Sequence, residues 1–437
     1  MQIQRGANPL ISTKQVEDWR IEEISGSALS HNRLLRDFLR MLLKLLLLIG
    51  VASVATAVYV PLPERFADHC ILDDNTNLYD PTHQYEVPWF TVDLDADPYT
   101  RFQEIATIYK QDINDLIQVL KDLIVPLLPD ALGFVDIFFG NAAEYLPSPY
   151  REELKGISDF TGVPIGEIVL YNVFYEIFTV CTSVIAQDDS GHLYHARNLD
   201  FGLFLGWNET THDWKISEHL RKMVVNVNWI KDGKILFVSN NFAGYVGIYN
   251  GMKKGGFTVT ANERFDLIGG YVGMIRWLIG LEPNGRWMSW LTRETLVEKN
   301  TYAEAREHLR NTPMLSPVYY ILSGVNPYEG TIITRTLNGT IDNQTVEMNP
   351  DDPYGWYLLQ TNYDPNSDVL FIDDRRTPGN ACMRKLGRSN VGFSGIYNVL
   401  SSRTNLNKLT TYTVLMDTIE GKWETHLQAC PGDCWAW

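Results

Sequence analysis

The residue with the most evident chemistry in this chain is Cys181. It follows the apolar run 177–180 and opens a strand-like segment, residues 181–186. A thiolate is a strong nucleophile, but a free thiol, with a pKa of about 8.5, needs a nearby amine, imidazole or cation to ionise. If the Val180–Cys181 peptide bond were cut, the new α-amine, with a reference pKa of about 8, would lie beside its own thiol. One residue would then supply both nucleophile and base.

A predicted β-hairpin would place two charged groups near this cysteine. The turn-like residues 187–191 separate the strand after Cys181 from a second predicted strand, residues 192–200. Arg197 and Asp200 lie on the second strand and would return alongside the nucleophile. A buried core cysteine next to a structural Arg–Asp pair would produce the same local pattern, so both interpretations stand on spacing alone.

Residues that often bind metals do not predict a metal site here. His192 and His195 are three apart on a predicted strand, so their side chains would point to opposite faces. The cysteines other than Cys181 are even in number and could form either two disulfides or a zinc site. An oxidising compartment favours disulfides, and the spacing is unlike a zinc ribbon. These four are Cys70, Cys382, Cys430 and Cys434. We expect no metal and no cofactor.

The elements that must position these residues change along the chain. Apolar residues recur every three or four positions over 97–178, which predicts helices interrupted by prolines. Beyond Cys181 the pattern predicts strands at 223–230, 235–239, 244–249, 257–262, 318–323, 331–335 and 356–361, with a final hairpin at 409–428. Further helices are predicted at 271–279, at 288–310 and from about residue 380. This order suits an α+β protein, an αββα sandwich of two sheets.

The first 60 residues form an N-terminal extension of a different kind. A mostly apolar run, residues 45–60, follows four basic residues, and residues 55–57 resemble a signal-peptidase site. A run of this length is short for a membrane-spanning helix of about 20 residues. A cleaved signal peptide starting from Met41 and a signal anchor with a cytoplasmic N-terminus are both compatible with this pattern.

Composition narrows the classes of partner. The chain has 437 residues, 45% of them hydrophobic, which is enough to bury a large core. A net charge of −16 at pH 7 argues against nucleic acid as a partner. Near the sequence pI of about 5.0 repulsion from anionic lipid would largely vanish, which favours work at a lipid surface in an acidic compartment. Three sequons, at Asn208, Asn338 and Asn343, are candidate glycosylation sites of a lumenal protein.

A series of ordered motifs adds a resemblance to a known family. Residues 181–202, Cys-Thr-Ser-Val-Ile-Ala through Asn-Leu-Asp-Phe-Gly, resemble the start of the β subunit in the acid ceramidase family of N-terminal-nucleophile hydrolases. Further blocks match in order, at 204–208, 242–247, 262–265, 360–364 and 373–378, so that the resemblance spans roughly residues 70–437. The N-acylethanolamine acid amidases share the Cys-Thr-Ser start but lack the Phe-Leu-Gly-Trp segment and the C-terminal cysteine pair, and they resemble this chain less.

The resemblance implies an architecture and a set of roles. The chain would be cut between Val180 and Cys181 into a helical α subunit, 61–180, and a catalytic β subunit, 181–437. Disulfides would join Cys70 to Cys382, and so link the subunits, and would join Cys430 to Cys434. Arg197 would tune the thiol, Asp200 would orient the amine, and Glu263 would take part in self-cleavage. From the sequence alone Glu263 could equally be a structural ion-pair partner of Arg264 or another cation. Asn362 would stabilise the oxyanion and Arg375 would lie near the nucleophile, although alone these would be assigned as a turn cap and a solvated loop charge.

The implied activity is hydrolysis of the amide bond of N-acylsphingosine to sphingosine and a fatty acid through a Cys181 thioester. Hydrolysis of N-acylethanolamines or other fatty-acid amides is the alternative within the same family. The resemblance also implies ceramide in a lipid membrane surface as the partner, a saposin-type activator, and a lysosomal location with secretion as a second destination.

Overall fold

Two β-sheets lie face to face at the centre of the molecule. The computed structural model describes residues 70–71, 77–124, 139–140, 143–144, 146–174, 176, 179–201, 206–265, 273, 276–277, 285–337, 339–370, 373–430 and 434. The strands are β1 Trp89–Asp93, β2 Thr179–Gln187, β3 Leu193–Phe201, β4 Trp207–Asn208, β5 Asp213–Trp214, β6 Val224–Lys231, β7 Lys234–Phe242, β8 Asn250–Lys253, β9 Phe257–Glu263, β10 Val318–Ser323, β11 Gly330–Thr336, β12 Gly339–Thr340, β13 Val346–Glu347, β14 Tyr357–Gln360, β15 Thr410–Asp417 and β16 Lys422–Leu427.

The α-helices pack mainly outside these sheets. They are α1 Gln103–Ile108, α2 Lys110–Ile124, α3 Tyr150–Thr161, α4 Ile165–Phe174, α5 Lys215–Lys222, α6 Met288–Glu298, α7 Tyr302–Asn311, α8 Arg376–Leu386 and α9 Phe393–Ser401. Helices α1 to α4 lie in the region where the sequence predicts helices, and they bury Ile105, Ile113 and Leu116 of the predicted periodic pattern. Among the described helices none is long and apolar enough to cross a membrane.

The larger sheet has the order β1-β6-β7-β8-β9-β10-β11-β12, with β13 also paired to β11. Strand β1 runs parallel to β6, and the remaining pairs are antiparallel. The β6–β7 hairpin turns at Asp232 and Gly233, whose φ angles are 50° and 70°. An Asp-Gly pair tolerates two successive positive φ values, which is why the predicted turn forms there.

The smaller sheet, of order β14-β2-β3-β15-β16, carries the nucleophile hairpin. Strands β2 and β3 pair antiparallel, and Gly191 in the turn between them has a φ of 91°. Strand β2 begins at Thr179, two residues earlier than predicted, because Thr179 and Val180 pair with Phe201 and Asp200 on β3. The peptide bond before Cys181 therefore lies inside a strand of the uncut chain.

Side chains along β2 and β3 alternate between the two faces of the smaller sheet, and each face packs on a different layer of the fold. Ile185 and Leu193 face the larger sheet and pack on Tyr319 and Ile321 of β10. Val184 and Ala196 point the other way, into a core shared with α8 and α9, because successive strand residues face opposite sides. Helices α6 and α7 pack on β8 to β10 of the larger sheet. The resulting order, helices, sheet, sheet, helices, confirms the predicted αββα sandwich.

Two predicted elements differ from the structure. Residues 244–249 are not a strand, although all six are buried. Their amides bind other partners, since the amide of Val246 donates to Oδ1 of Asn172 and that of Ile248 to the carbonyl of Ser289. The helix predicted at 288–310 is two helices, because Thr301 caps α7 through a reciprocal capping box with Glu304. The helix predicted at 271–279 lies largely outside the described residues.

Both pairs of cysteines form disulfides. Cys70 is bonded to Cys382 of α8, with a Cα–Cα distance of 5.4 Å, and Cys430 is bonded to Cys434. Cys181 is a free, buried thiol. Of the predicted sequons, Asn208 is partly exposed and Asn343 is exposed, whereas Asn338 lies outside the described residues. The extension 1–60, with its signal or anchor, also lies outside them.

A buried carboxylate fastens the helical region to the rest of the fold. Glu153 of α3 is fully buried and receives two hydrogen bonds from Arg293 of α6, at 2.5 and 2.6 Å, and one from Arg101 at 3.0 Å. Such pairs are costly to break because one charge stays buried without compensation.

We therefore expect Glu153→Gln to lower the free energy of unfolding at pH 7 by about 3–5 kcal/mol, as measured by urea denaturation of the intact chain. The neighbouring Glu152 pairs with Arg151, whose side chain is about half exposed. Glu152→Gln is therefore the matched control, and it should lower the free energy of unfolding by less than about 1 kcal/mol. Equal losses in the two variants would contradict a special role for the buried pair.

Candidate active site

The thiol of Cys181 lies on the face of the smaller sheet that packs against the larger sheet. Cys181 has no exposed surface, and its Sγ is 2.6 Å from Nη2 of Arg197. Cys181 pairs with Leu199, and Ser183 with Arg197, so that Cys181 and Arg197 form a diagonal pair on one face of the hairpin. The predicted hairpin thus brings the arginine to the nucleophile.

Arg197 is held from the opposite sheet. Its guanidinium donates to the carbonyl of Tyr249 and to that of Ala261 on β9, each at 2.7 Å. Its central carbon also lies 5.8 Å from the centre of the Tyr249 ring. Two backbone acceptors and a fully buried position leave this cation little freedom, so its charge stays at the sulfur.

The electrostatics of the uncut chain favour a neutral thiol. Burial raises the pKa of Cys181, and the nearby Arg197 only partly offsets that effect. An ordinary thiol is already mostly protonated at neutral pH. In this state the thiol proton must be transferred before the sulfur becomes a good nucleophile.

Asn362 and Arg375 contact the main chain of Cys181. Oδ1 of Asn362 accepts from the amide of Cys181 at 2.9 Å and from Nη2 of Arg375 at 2.8 Å. Arg375 also donates to the carbonyl of Cys181 and is held by Asp373 through bonds of 2.9 and 3.0 Å. The amide group of Asn362 donates to the carbonyls of Glu263, at 2.7 Å, and Thr179, at 3.3 Å.

Asp200 lies on the other face of the hairpin. It pairs with Val180 across the two strands, and its Oδ2 is 3.7 Å from Nη1 of Arg375 and 3.0 Å from Nδ2 of Asn407. Burial raises the pKa of Asp200 to about 6, against the opposing effect of Arg375. The main chain of Cys181 therefore lies between Arg197 on one face and the Asp200–Arg375 pair on the other.

Glu263, at the end of β9, reaches Thr179, two residues before Cys181. Its Oε2 accepts from the amide of Thr179 at 3.1 Å, and burial raises its pKa well above the ordinary value. Arg264, which the sequence offered as an ion-pair partner, forms two 2.7 Å bonds to Asp364. All six predicted site residues, from Cys181 to Arg375, are thus within one connected set of contacts.

Three further residues of this site were not predicted. Asp373 orients Arg375, Asn407 binds Asp200, and Glu176 lies five positions before Cys181 in a buried hydrogen-bond network. Asp373 belongs to the Asp-Asp-Arg-Arg block and could have been inferred from its proximity to Arg375 in sequence. Asn407 and Glu176 lie in segments without a motif, and only the fold shows their surroundings.

The histidines have structural surroundings. His195 is buried between the sheets and contacts the hydroxyls of Thr258 and Thr260 at 2.8 and 3.2 Å. Burial lowers its pKa to about 3, so it stays neutral. His192 contacts Asp417 at 2.9 Å. No group of three or more potential metal ligands occurs in the part of the chain that the structure describes.

The fold and the site define a class of enzyme. A buried cysteine on a central strand of an αββα sandwich, beside an arginine and followed by a hairpin, is the arrangement expected of an amidohydrolase with an N-terminal nucleophile. Residues 181–346 match the choloylglycine hydrolase family of linear amide C–N hydrolases. Residues 85–146 match a family described as the beta subunit of N-acylethanolamine-hydrolyzing acid amidase, and this segment precedes Cys181.

Comparison with curated proteins identifies the family within that class. The chain is 41% identical to the acid ceramidase of Mus musculus and 40% identical to that of Homo sapiens over 359 residues, 82% of this chain and 90% of each relative. It is 38% identical to that of Macaca fascicularis over 403 residues, 91% of this chain and 99% of the relative. A solved structure of the N-acylethanolamine-hydrolyzing acid amidase ortholog of Caenorhabditis elegans is 25% identical, with a TM-score of 0.47, over 57% of this chain and all of that chain. The chain belongs to the acid ceramidase family.

Proposed function

We propose that this protein hydrolyses the amide bond of N-acylsphingosine and releases sphingosine and a free fatty acid. The observation that carries the proposal is the Cys181 thiol, 2.6 Å from Arg197, in a chain about 40% identical to proteins named acid ceramidase. Because a long-chain N-acylsphingosine resides in lipid membranes, the protein would act at a membrane surface. A lysosomal location, secretion, a saposin-type activator and glycosylation at Asn208, Asn338 and Asn343 belong to the same proposal.

The first step would be self-cleavage. The sulfur of Cys181 attacks the carbonyl carbon of Val180 and gives up its proton, the peptide C–N bond breaks, and the freed nitrogen takes that proton to become the α-amine of Cys181. Water then hydrolyses the thioester that links Val180 to the sulfur. The products are an α chain that ends at Val180 and a β chain that begins at Cys181, matching the predicted subunits 61–180 and 181–437.

The second step would use the new N-terminus. The α-amine of Cys181 removes the thiol proton, the sulfur attacks the amide carbonyl of the substrate, and the departing amine of sphingosine takes that proton. Water hydrolyses the resulting acyl thioester to the fatty acid. Oδ1 of Asn362 already accepts from the Cys181 nitrogen and would orient the amine, with Arg375 and Asp200 fixing the main chain from the other face.

Asn362 has a feature that suits stabilisation of the oxyanion. One of its amide bonds goes to the carbonyl of Thr179, a residue on the departing side of the scissile bond. When the segment before Cys181 moves away, this N–H loses its acceptor. It could then donate to the charged oxygen that forms on the substrate carbonyl.

Burial of the thiol implies that the uncut chain is inactive. Cys181 has no exposed surface, and the strand residues Thr179 and Val180 continue directly from it. A long-chain amide reaches the sulfur only after these residues are displaced. A cleavage-blocked precursor with full activity would contradict this account.

The test of the function is product analysis with purified protein. The full chain is incubated near pH 5 with N-acylsphingosine or with N-acylethanolamine, and the released sphingosine, ethanolamine and fatty acid are quantified by mass spectrometry. Faster release of sphingosine supports the proposal. Preferential release of ethanolamine would assign the protein to the alternative amidase activity, and no release from either substrate would overturn both.

The Cys70–Cys382 disulfide predicts how the two chains stay together. After cleavage, Cys382→Ser should separate the α and β chains completely on non-reducing denaturing gels, whereas the wild-type chains migrate together. Cys430→Ser is the matched control, because Cys430 and Cys434 are both on the β side and their loss leaves the linkage intact. Linked chains in the Cys382→Ser variant would contradict the prediction.

A further inference from the structure

Glu176 is a buried carboxylate that the proposed chemistry does not use. It is 1% exposed, and its two oxygens accept from the amide of Met288 at 2.7 Å, from the amide and hydroxyl of Ser289, and from the hydroxyl of Tyr245 at 3.1 Å. Met288 and Ser289 begin helix α6, an 11-residue helix. The first amides of a helix have no partners within the helix and favour an acceptor. Glu176 supplies that acceptor from a distant part of the chain.

Glu176 lies only four residues before Val180, so its contact with α6 restrains the chain near the proposed cleavage site. It is one of several points at which groups from elsewhere in the fold hold the described chain around the proposed scissile bond. The carbonyl of Thr179 is bonded to Asn362 and that of Cys181 to Arg375. The amide of Thr179 is bonded to Glu263, and the amide of Cys181 is bonded to Asn362. Among these described contacts, that of Glu176 lies farthest along the chain from Cys181 and is made to the start of α6. Together they restrict the movement of the Val180 carbonyl relative to the thiol, which is what an intramolecular attack requires.

The groups around Glu176 can form hydrogen bonds with both its ionised and its protonated form. The hydroxyl of Tyr245 lies 2.7 Å from that of Tyr249 and 2.7 Å from Oγ of Ser289, and all three hydroxyls can rotate. A Glu176 protonated at Oε1 can therefore donate to Ser289 or Tyr245 while the amide of Met288 still binds Oε2. The other titratable groups that face it are Tyr320 of β10 and Glu263 of β9, and the charge of Glu176 raises the pKa of both.

Burial of Glu176 also determines whether its docking on α6 is stronger in acid or at neutral pH. It raises the pKa of Glu176 to about 7, because the desolvation of the carboxylate outweighs its hydrogen bonds. A glutamate released to solvent has a pKa of about 4.3. Docking of Glu176 therefore takes up a proton, and docking becomes stronger as the pH falls from 7 towards 5.

We infer that Glu176 is a positioning residue for self-cleavage, which docks the segment before Cys181 on the N-terminus of α6 more firmly in acid than at neutral pH. The inference rests on the proposed self-cleavage and assigns part of its regulation. It makes the precursor slow to cut in a neutral compartment and faster to cut in an acidic one. The residue acts through the geometry of the scissile bond and does not contact the reacting atoms.

Glu176→Gln in the full chain tests this inference. Glutamine has the same shape, stays neutral at every pH and can donate to Ser289 or Tyr245 as the protonated acid would. The rate at which a β chain beginning at Cys181 appears is measured from pH 5 to 8 by mass spectrometry. We expect the variant-to-wild-type rate ratio to be near 1 at pH 5 and to rise by about tenfold or more at pH 7.5. Titration of Cys181 or Asp200 affects both proteins and largely cancels in this ratio.

Two more variants sharpen the result. Glu176→Ala removes the docking group and should slow cleavage at pH 5 by about tenfold. Glu167→Gln is the matched control, because Glu167 is a buried carboxylate of α4 that pairs with Lys121 at 2.6 Å, away from the site, and its variant should follow the wild-type profile.

The outcomes separate this inference from the proposed function. A wild type that cleaves itself while the Glu176→Gln ratio stays flat with pH would overturn the role of Glu176 alone. So would a glutamine variant that is slower than wild type at every pH. A wild type that stays intact at every pH would overturn self-cleavage, and the role of Glu176 with it.

Discussion

Replacement of Cys181 by alanine is expected to leave a single uncut chain and to lower amide hydrolysis by about 10,000-fold or more. The sulfur is the attacking atom in both proposed steps, and its α-amine, freed only by the first step, is the base of the second. Loss of the sulfur therefore removes the nucleophile and also prevents the base from forming. The measurements are intact mass after incubation near pH 5 and the release of fatty acid from N-acylsphingosine.

A serine at the same position separates chemistry from packing. Cys181→Ser keeps the side-chain volume nearly constant and retains a nucleophilic atom, but a hydroxyl is far less acidic than a thiol and should cut the chain much more slowly than the wild type. Cys181→Ser should unfold near the wild-type temperature, because its hydroxyl can still accept from Nη2 of Arg197. Cys181→Ala loses that acceptor and should be less stable. A Cys181→Ala protein that still yields a β chain starting at residue 181 would show that another protease makes the cut.

The sequence allowed the prediction of those parts of the fold that depend on local patterns. The hairpin of β2 and β3 follows from strand alternation on either side of a turn that contains Gly191, and the β6–β7 turn follows from Asp232 and Gly233. The segment 244–249 shows the limit of this reasoning. It is as apolar and buried as a strand, but its amides bind Asn172 and the start of α6. Partners supplied by distant elements leave no local periodic pattern.

The residues of the candidate site also fall into those that local patterns could place and those that they could not. Arg197 could be placed near Cys181 by spacing, because both lie on one hairpin. Strand alternation places Asp200, three residues after Arg197, on the face opposite the thiol. What spacing does not indicate is that Arg375 meets Asp200 there. Asn362 and Arg375 are separated from Cys181 by 181 and 194 residues. Only their resemblance to family motifs connected them to the site before the contacts were known.

The pKa shifts of the site residues were harder to predict from the sequence than their positions. The pKa values of Cys181, Asp200, Glu176 and Glu263 are all raised, and in each case burial is the largest cause. Burial of a polar side chain depends on packing between the two sheets and the helices, which a linear pattern does not specify. The boundaries of the subunits, which depend on the cut after Val180, remain a prediction.

Arg197 provides the second large expected effect. Arg197→Gln removes the cation that lies 2.6 Å from the sulfur, so the thiolate loses its nearest stabilising charge and the pKa of the thiol rises further. We expect self-cleavage and kcat/KM each to fall by about 100-fold or more, within the range found when one preorganised donor is removed from an active site. The pH profile of kcat/KM should shift to higher pH, which a purely structural role would not produce.

Arg335→Gln is the matched control for that experiment. Arg335 is 1% exposed and, like Arg197, donates to two backbone carbonyls, those of Leu309 and Thr312, but it lies outside the site. Loss of either arginine leaves buried carbonyls unpaired and should destabilise the fold by about 1–3 kcal/mol for each carbonyl. Only Arg197→Gln should also lower kcat/KM, and Arg197→Lys should recover part of that loss because it restores the charge without the guanidinium geometry. Equal kinetic losses in Arg197→Gln and Arg335→Gln would mean that Arg197 acts on stability alone, and the thiol would then have to be activated by its own α-amine without help from this cation.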